Sequence, residues 1–76
     1  MKMLGKLKTG EKAVIKDISN VNYLVRRRLL DLGITEGTEI CLKCKMPFGG
    51  PYMLECGGRC VGIRRCDAND IKVERK

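Results

Sequence analysis

The sequence has no histidine and no tryptophan, and its aromatics are only Tyr23, Phe48 and Tyr52. Without histidine the chain lacks the commonest general base and the commonest metal ligand. No serine or cysteine has a histidine to activate it, and no acid pair marks a cleft, so no catalytic residue is expected. A Gly-x4-Gly-Lys-Ser/Thr string is missing as well, which excludes nucleotide binding of the Walker type. Gly49-Gly50 and Gly57-Gly58 read as turns. Long apolar runs are also lacking. The longest, Ala13-Val14-Ile15, is far short of the roughly 20 residues of a membrane helix. Lysines interrupt the opening Met1-Lys2-Met3-Leu4-Gly5-Lys6, so no secretory h-region forms there. The protein is expected to stay in the cytoplasm.

What is present bounds the answer further. Seventy-six residues make one domain, 1-76, with no linker, repeat or low-complexity segment. A chain of this length buries roughly 60% of its unfolded surface. Its core is therefore small and leaves little room for a deep substrate pocket. The formal net charge of +7 favours acidic partners. Nucleic-acid binders usually add exposed aromatics for stacking, and proline-rich peptide grooves need several aromatics in a row. The three here are scattered, which counts against both.

Five cysteines, at positions 41, 44, 56, 60 and 66, are an odd number and argue against a disulfide framework. Cys41-x2-Cys44 followed by Cys56-x3-Cys60 loosely resembles a four-thiolate zinc site. Strand geometry opposes it. Thr38 to Lys45 reads as a strand, on which residues three apart face opposite ways. Cys41 and Cys44 could then not grip one ion unless the strand breaks. The plainer expectation places Cys44 and Cys56 in the core as small hydrophobes, with Cys41 and Cys60 nearer the surface. No metal ligand and no cofactor site is assigned.

Along the chain, Lys12 to Ile18 reads as a strand. Asn20 or Asn22 is suited to cap a helix over Tyr23 to Leu32, whose Val25, Leu29 and Leu32 share one face. Gly33 suits a left-handed end to that helix. Strands follow at Glu39 to Lys45 and Tyr52 to Cys56. A tight Gly57-Gly58 hairpin leads to a third run, with Val61 and Ile63 apolar. Asp67 to Asp70 reads as a turn, and Ile71 to Glu74 as a last strand. Five short strands with close-set turns and one helix predict an all-β fold. It should be a small barrel, since closure removes edges. The expected core is Ile15, Ile18, Leu29, Leu32, Ile40, Leu42, Leu54, Val61, Ile63 and Ile71.

Two features invite a functional reading. Arg26-Arg27-Arg28 sits on the helix. Its members are splayed by about 100° each, so they cannot share one contact surface. Either they form a solvated face, with Arg27 and Arg28 close enough to pair with Asp31, or one reaches an acidic or phosphate-bearing partner. Arg27 lies opposite Val25 and Leu29 and should face outward. The loop Pro47-Phe48-Gly49-Gly50-Pro51 has two possible placements for its ring: an exposed contact tip, or a plug folded back into the barrel end. Arg27, Pro47, Phe48 and Pro51 are the candidate partner-binding residues.

The string Arg28-Leu29-Leu30-Asp31-Leu32-Gly33-Ile34-Thr35-Glu36-Gly37-Thr38-Glu39-Ile40 closely resembles the signature of the ferrous iron transport protein A (FeoA) family. Pro47-Phe48-Gly49-Gly50-Pro51 matches in order, as does Gly62-Ile63-Arg64-Arg65 with Ala68 and Ile71-Lys72-Val73. The opening Leu7-Lys8-Thr9-Gly10-Glu11-Lys12-Ala13 fits too. The resemblance implies an SH3-like barrel with a short inserted helix. It also implies a role in bacterial ferrous iron uptake, as a cytosolic partner of FeoB, the membrane GTPase that carries Fe²⁺. The same domain type resembles the C-terminal module of diphtheria-toxin-repressor-type regulators. That leaves a metal-responsive regulator module or a nucleic-acid-binding barrel as alternatives. The family pattern has no fixed ligand set to carry over, and the five cysteines depart from it.

Overall fold

In the computed structural model, which describes residues 2–76, the chain alternates short strands with tight connections. β1 spans Lys2–Met3 and runs into a single 3-10 turn, Leu4–Lys6. β2 is Lys12–Asp17, α1 Tyr23–Asp31, β3 Glu39–Lys45, β4 Tyr52–Cys56, β5 Arg59–Ile63, α2 Arg65–Ala68 and β6 Lys72–Arg75. The strands form one antiparallel sheet in the order β1-β6-β2-β3-β4-β5. The molecule measures 26 × 26 × 24 Å, so the sheet curls around its own apolar face. The 3-10 turn helps to close it. Leu4 and Leu7 are buried there, the Leu4 N–H donates to the Ile71 carbonyl, and the Lys45 ammonium reaches the Gly5 carbonyl at 3.2 Å. This is the SH3-like architecture, with β1 and α2 added to the elements expected.

Local chemistry explains the elements. The Asn22 side chain accepts the Leu24 N–H at 2.8 Å and caps α1, satisfying one of the orphan donors of a helix start. At the other end Gly33 adopts φ +82°. The Ile34 N–H then reaches Leu29 O at 2.8 Å and the Gly33 N–H reaches Leu30 O at 3.0 Å. This is a Schellman closure, and Ile34 and Leu29, both buried, make its apolar contact. Gly57 and Gly58, both at positive φ, turn β4 into β5 between the paired Cys56 and Arg59. Positive φ at both central residues matches the right-handed twist of the strands.

Nine of the ten expected core residues are buried. Leu32 is half-buried against the cluster. The core also takes in Leu4, Leu7, Ala13, Val21, Ile34, Tyr52, Ala68 and Val73. Two expectations are corrected. Asp67 to Asp70 is not simply a turn, because α2 covers Arg65–Ala68 and buries Ala68 and Asp67; one helical turn is too short to show a period. Cys44 is exposed rather than in the core. The β3–β4 register slips between Leu42↔Leu54 and Cys44↔Met53. One extra residue in a strand exchanges its faces beyond that point. Lys45 consequently moves to the inner side, where its ammonium lies 5.2 Å from the Tyr52 ring.

Candidate functional site

The β3–β4 connection is the most prominent exposed feature. The Met46 N–H donates to Pro51 O at 3.0 Å, and within that closure the Gly50 N–H donates to Pro47 O at 3.1 Å. The two central residues of this inner turn are Phe48 at φ 59° and Gly49 at φ 74°. Glycine tolerates that conformation; for a residue with a Cβ it costs about 1–2 kcal/mol. Phe48 is the sole non-glycine residue at positive φ among those described. Its ring is wholly in solvent, at 104% relative exposure. Of the two placements open in the sequence, the exposed tip is the one found. Pro47 and Pro51 are also exposed. Beside the loop, an Arg65 guanidinium nitrogen lies 3.8 Å from where a Gly49 Cβ would stand, and Pro51 borders Gly62.

The three helix arginines point in three directions. Arg26 lies 6.0 Å from the Tyr23 ring centroid. It borders an open depression shared with Ile18, Ser19, Leu30, Thr35 and Glu36. Arg28 edges a narrow cleft with Val25, Leu29, Gly62, Arg64 and Asp67. Arg27 is exposed, as its position opposite Val25 and Leu29 requires. Neither Arg27 nor Arg28 pairs with Asp31 among the described residues; the ion pairs found there join other groups. Pro47, Phe48 and Pro51 thus share one loop. Through Gly62 that loop adjoins the cleft of Arg28, while Arg27 stands on the outer face of α1. Sequence reasoning missed Arg65, whose signal was the basic pair Arg64-Arg65 directly after β5.

The acids are largely engaged elsewhere. Glu11 accepts from Arg75 at 2.8 Å and Glu39 from Lys76 at 2.6 Å. Glu55 pairs with Lys43, Glu74 with Lys16, and Asp67 with Arg64. Arg75, helped by the Lys8 N–H, holds the Glu11 carboxyl below its ordinary range. Lys76 does the same for Glu39, and the Ser19 hydroxyl and N–H for Asp17. Arg26, Arg27, Arg28 and Arg65 have no ion-pair partner among the described residues. Their charge is therefore free: Arg65 stands beside the Phe48 loop, and the other three are spread around α1.

The cysteines are all free. Among the described residues, no three cysteine or acidic side chains converge as a metal site. The bulge changes one premise, however. Cys41 pairs with Glu55 and Cys44 with Met53, which lie two apart on β4 and so share its outer face. Cys41 and Cys44 therefore point the same way rather than oppositely. Cys60 is exposed and Cys56 half-buried. No described helix is long and apolar enough to cross a membrane.

Comparison with known proteins agrees with this architecture. The FeoA domain model matches residues 2–75. The FeoA protein of Chlorobium tepidum, solved by NMR, is 33% identical; the match covers 96% of this chain and 69% of that one, with a TM-score of 0.90. A FeoA-like protein from Clostridium acetobutylicum is 34% identical, over 97% of this chain and 85% of that one, with a TM-score of 0.82. A manganese-dependent transcriptional repressor shares the fold alone. It is 17% identical, over 99% of this chain and 41% of the repressor, with a TM-score of 0.87. No curated protein sequence matches significantly.

Proposed function

The chain belongs to the FeoA family, with a role in ferrous iron transport, and from that premise we propose that it acts by binding the cytosolic part of an FeoB-like membrane GTPase. It is a non-catalytic accessory protein in this reading, and its site is a surface rather than a pocket. The observation that carries the reading is Phe48: a whole aromatic ring in solvent, held out by a backbone conformation that favours glycine. Such strain persists where the surrounding structure enforces it, and it clusters at active sites, ligand clamps and switch regions. An aromatic anchor with an unpaired arginine beside it, Arg65, is the composition of a protein-binding hot spot. Arg27 extends the surface along α1, where its fork can engage a carboxylate in two-point fashion.

The test is a calorimetric titration of the chain against the cytosolic domain of the GTPase. Phe48→Ala and Arg27→Ala should each weaken binding by about tenfold or more, the range of interface anchors, with unchanged circular dichroism. Wild-type affinity in both variants eliminates this surface. Absence of any binding by the unaltered chain eliminates the GTPase as partner.

A further inference from the structure

Helix α1 carries more apolar surface than the barrel covers. Its residues follow one another at about 100° around the axis. Val25 and Leu29 turn toward the sheet, Leu29 buried and Val25 packed at the edge of the core. On the opposite side stand Tyr23, Leu24 and Leu30, which are 61%, 73% and 49% exposed. An exposed leucine by itself is ordinary. Three large apolar side chains on the outer side of one nine-residue helix mark a contact surface. Arginines frame it. Arg27 falls between Tyr23 and Leu24, Arg26 about 40° beyond Leu30, and Arg28 about 40° beyond Leu24. None of the three has an ion-pair partner among the described residues, and Arg26 lies 6.0 Å from the Tyr23 ring centroid. One acid, Asp31, shares the face.

We propose that this outer face of α1 docks on an anionic phospholipid bilayer. An interfacial helix lies in the membrane plane, with its apolar side chains at the acyl boundary and its cations among the headgroups. Leu24 and Leu30 supply the apolar part, and Tyr23 brings a ring with a polar tip, suited to headgroup depth. Arginine stems lie along apolar surface while their charged ends reach outward, and a guanidinium holds a phosphate in two-point fashion. A bilayer therefore meets both halves of the face at once. The net charge of +7 adds attraction toward an anionic leaflet, against which Asp31 is a single opposing charge. A second copy of the chain is the poorer occupant, because packing α1 on α1 would set three unpaired arginines against three. This lipid contact goes beyond the GTPase contact and does not rest on it; Arg27 is the residue the two surfaces share.

The experiment is co-sedimentation of the full chain with vesicles of equal parts phosphatidylglycerol and phosphatidylcholine, and with vesicles of phosphatidylcholine alone. Binding to the mixed vesicles only is expected, weakening as salt rises. Leu24→Ser and Tyr23→Ser should each lower it by about tenfold, the transfer free energy of one large apolar side chain. Arg28→Gln should lower it by about fivefold, the effect of one cation at an anionic surface. Lys12→Gln removes a charge beside the Gly57-Gly58 hairpin and should bind as the unaltered chain does. Leu24→Trp introduces the sole tryptophan, whose emission should shift to the blue on adding mixed vesicles. All these side chains are exposed, and circular dichroism checks each fold. Equal binding to both vesicle types, an unshifted Leu24→Trp emission, or a loss in Lys12→Gln as large as in Arg28→Gln would overturn the assignment. Vesicles hold no GTPase and the calorimetric titration holds no lipid, so either contact can fail alone. If vesicles leave the chain in solution while Leu24→Ser weakens the GTPase complex, the face belongs to the protein contact and the lipid assignment falls.

Discussion

Replacing Phe48 by glycine should make the protein more stable while removing the proposed contact. The ring is wholly exposed, so its loss removes no core packing. At φ 59° the Cβ costs about 1–2 kcal/mol, which glycine recovers. Against that stands the greater freedom of glycine in the unfolded chain, about 0.5–1 kcal/mol. The net gain lies between about 0 and 1.5 kcal/mol and centres on about 0.75 kcal/mol, or about 3–6 °C in midpoint for a domain of this size. Phe48→Ala keeps the Cβ and should stay within about 0.5 kcal/mol of the parent, as exposed substitutions do. Thermal unfolding followed by circular dichroism measures both, and titration against the GTPase domain measures the functional cost. If Phe48→Gly unfolds earlier than Phe48→Ala, the strain reasoning fails; if both unfold earlier than the parent, the ring packs in solution. If Phe48→Gly is stabilised yet binds the GTPase normally, the loop is strained without being the contact.

Leu42→Ala, at a side chain with no exposed area, should cost about 2–5 kcal/mol, a large share of a typical 5–15 kcal/mol total; urea unfolding reads it. Gly33→Ala places a Cβ at φ +82° and should cost about 1–2 kcal/mol, visible as a lower urea midpoint with an unchanged slope. Stability should be level above the ordinary values of 4.5 for Glu11 and Glu39 and 3.8 for Asp17. It should fall as pH drops below them, because these carboxyls are depressed only in the folded state and the unfolded chain takes up protons first. Glu11→Gln should flatten part of that acid limb in denaturation measured from pH 6 to pH 2. A strong chelator should leave the circular dichroism spectrum unchanged, since the core closes through apolar contacts; unfolding on metal removal would show that binding energy is folding energy here.

Most of the framework was legible in the residues themselves. Period-two alternation located β3 to β5, an apolar run between turns located β2, and the i, i+4 spacing of Val25 and Leu29 located α1. Gly33 and Gly57-Gly58 marked the turns, and Asn20 or Asn22 the cap, of which the structure uses Asn22, because each signal depends on neighbours within one element. The outward direction of Arg27 followed from helix geometry alone, since a residue's angle on a helix is set by its sequence position. The family signature between Arg28 and Ile40 likewise needed no coordinates.

What escaped the sequence depends on contacts between elements distant in the chain. Whether Phe48 plugs the barrel or stands in solvent is decided by how the β3–β4 turn closes, through Met46 and Pro51. The sides taken by Cys44 and Lys45 hinge on one extra residue in β3, which only pairing with β4 reveals. The burial of Leu4, Leu7 and Ala68 arises because the N-terminal turn and α2 cover the open end of the sheet. Local pattern determines which residues are apolar and which segments are strands; register and closure determine which face each of them meets.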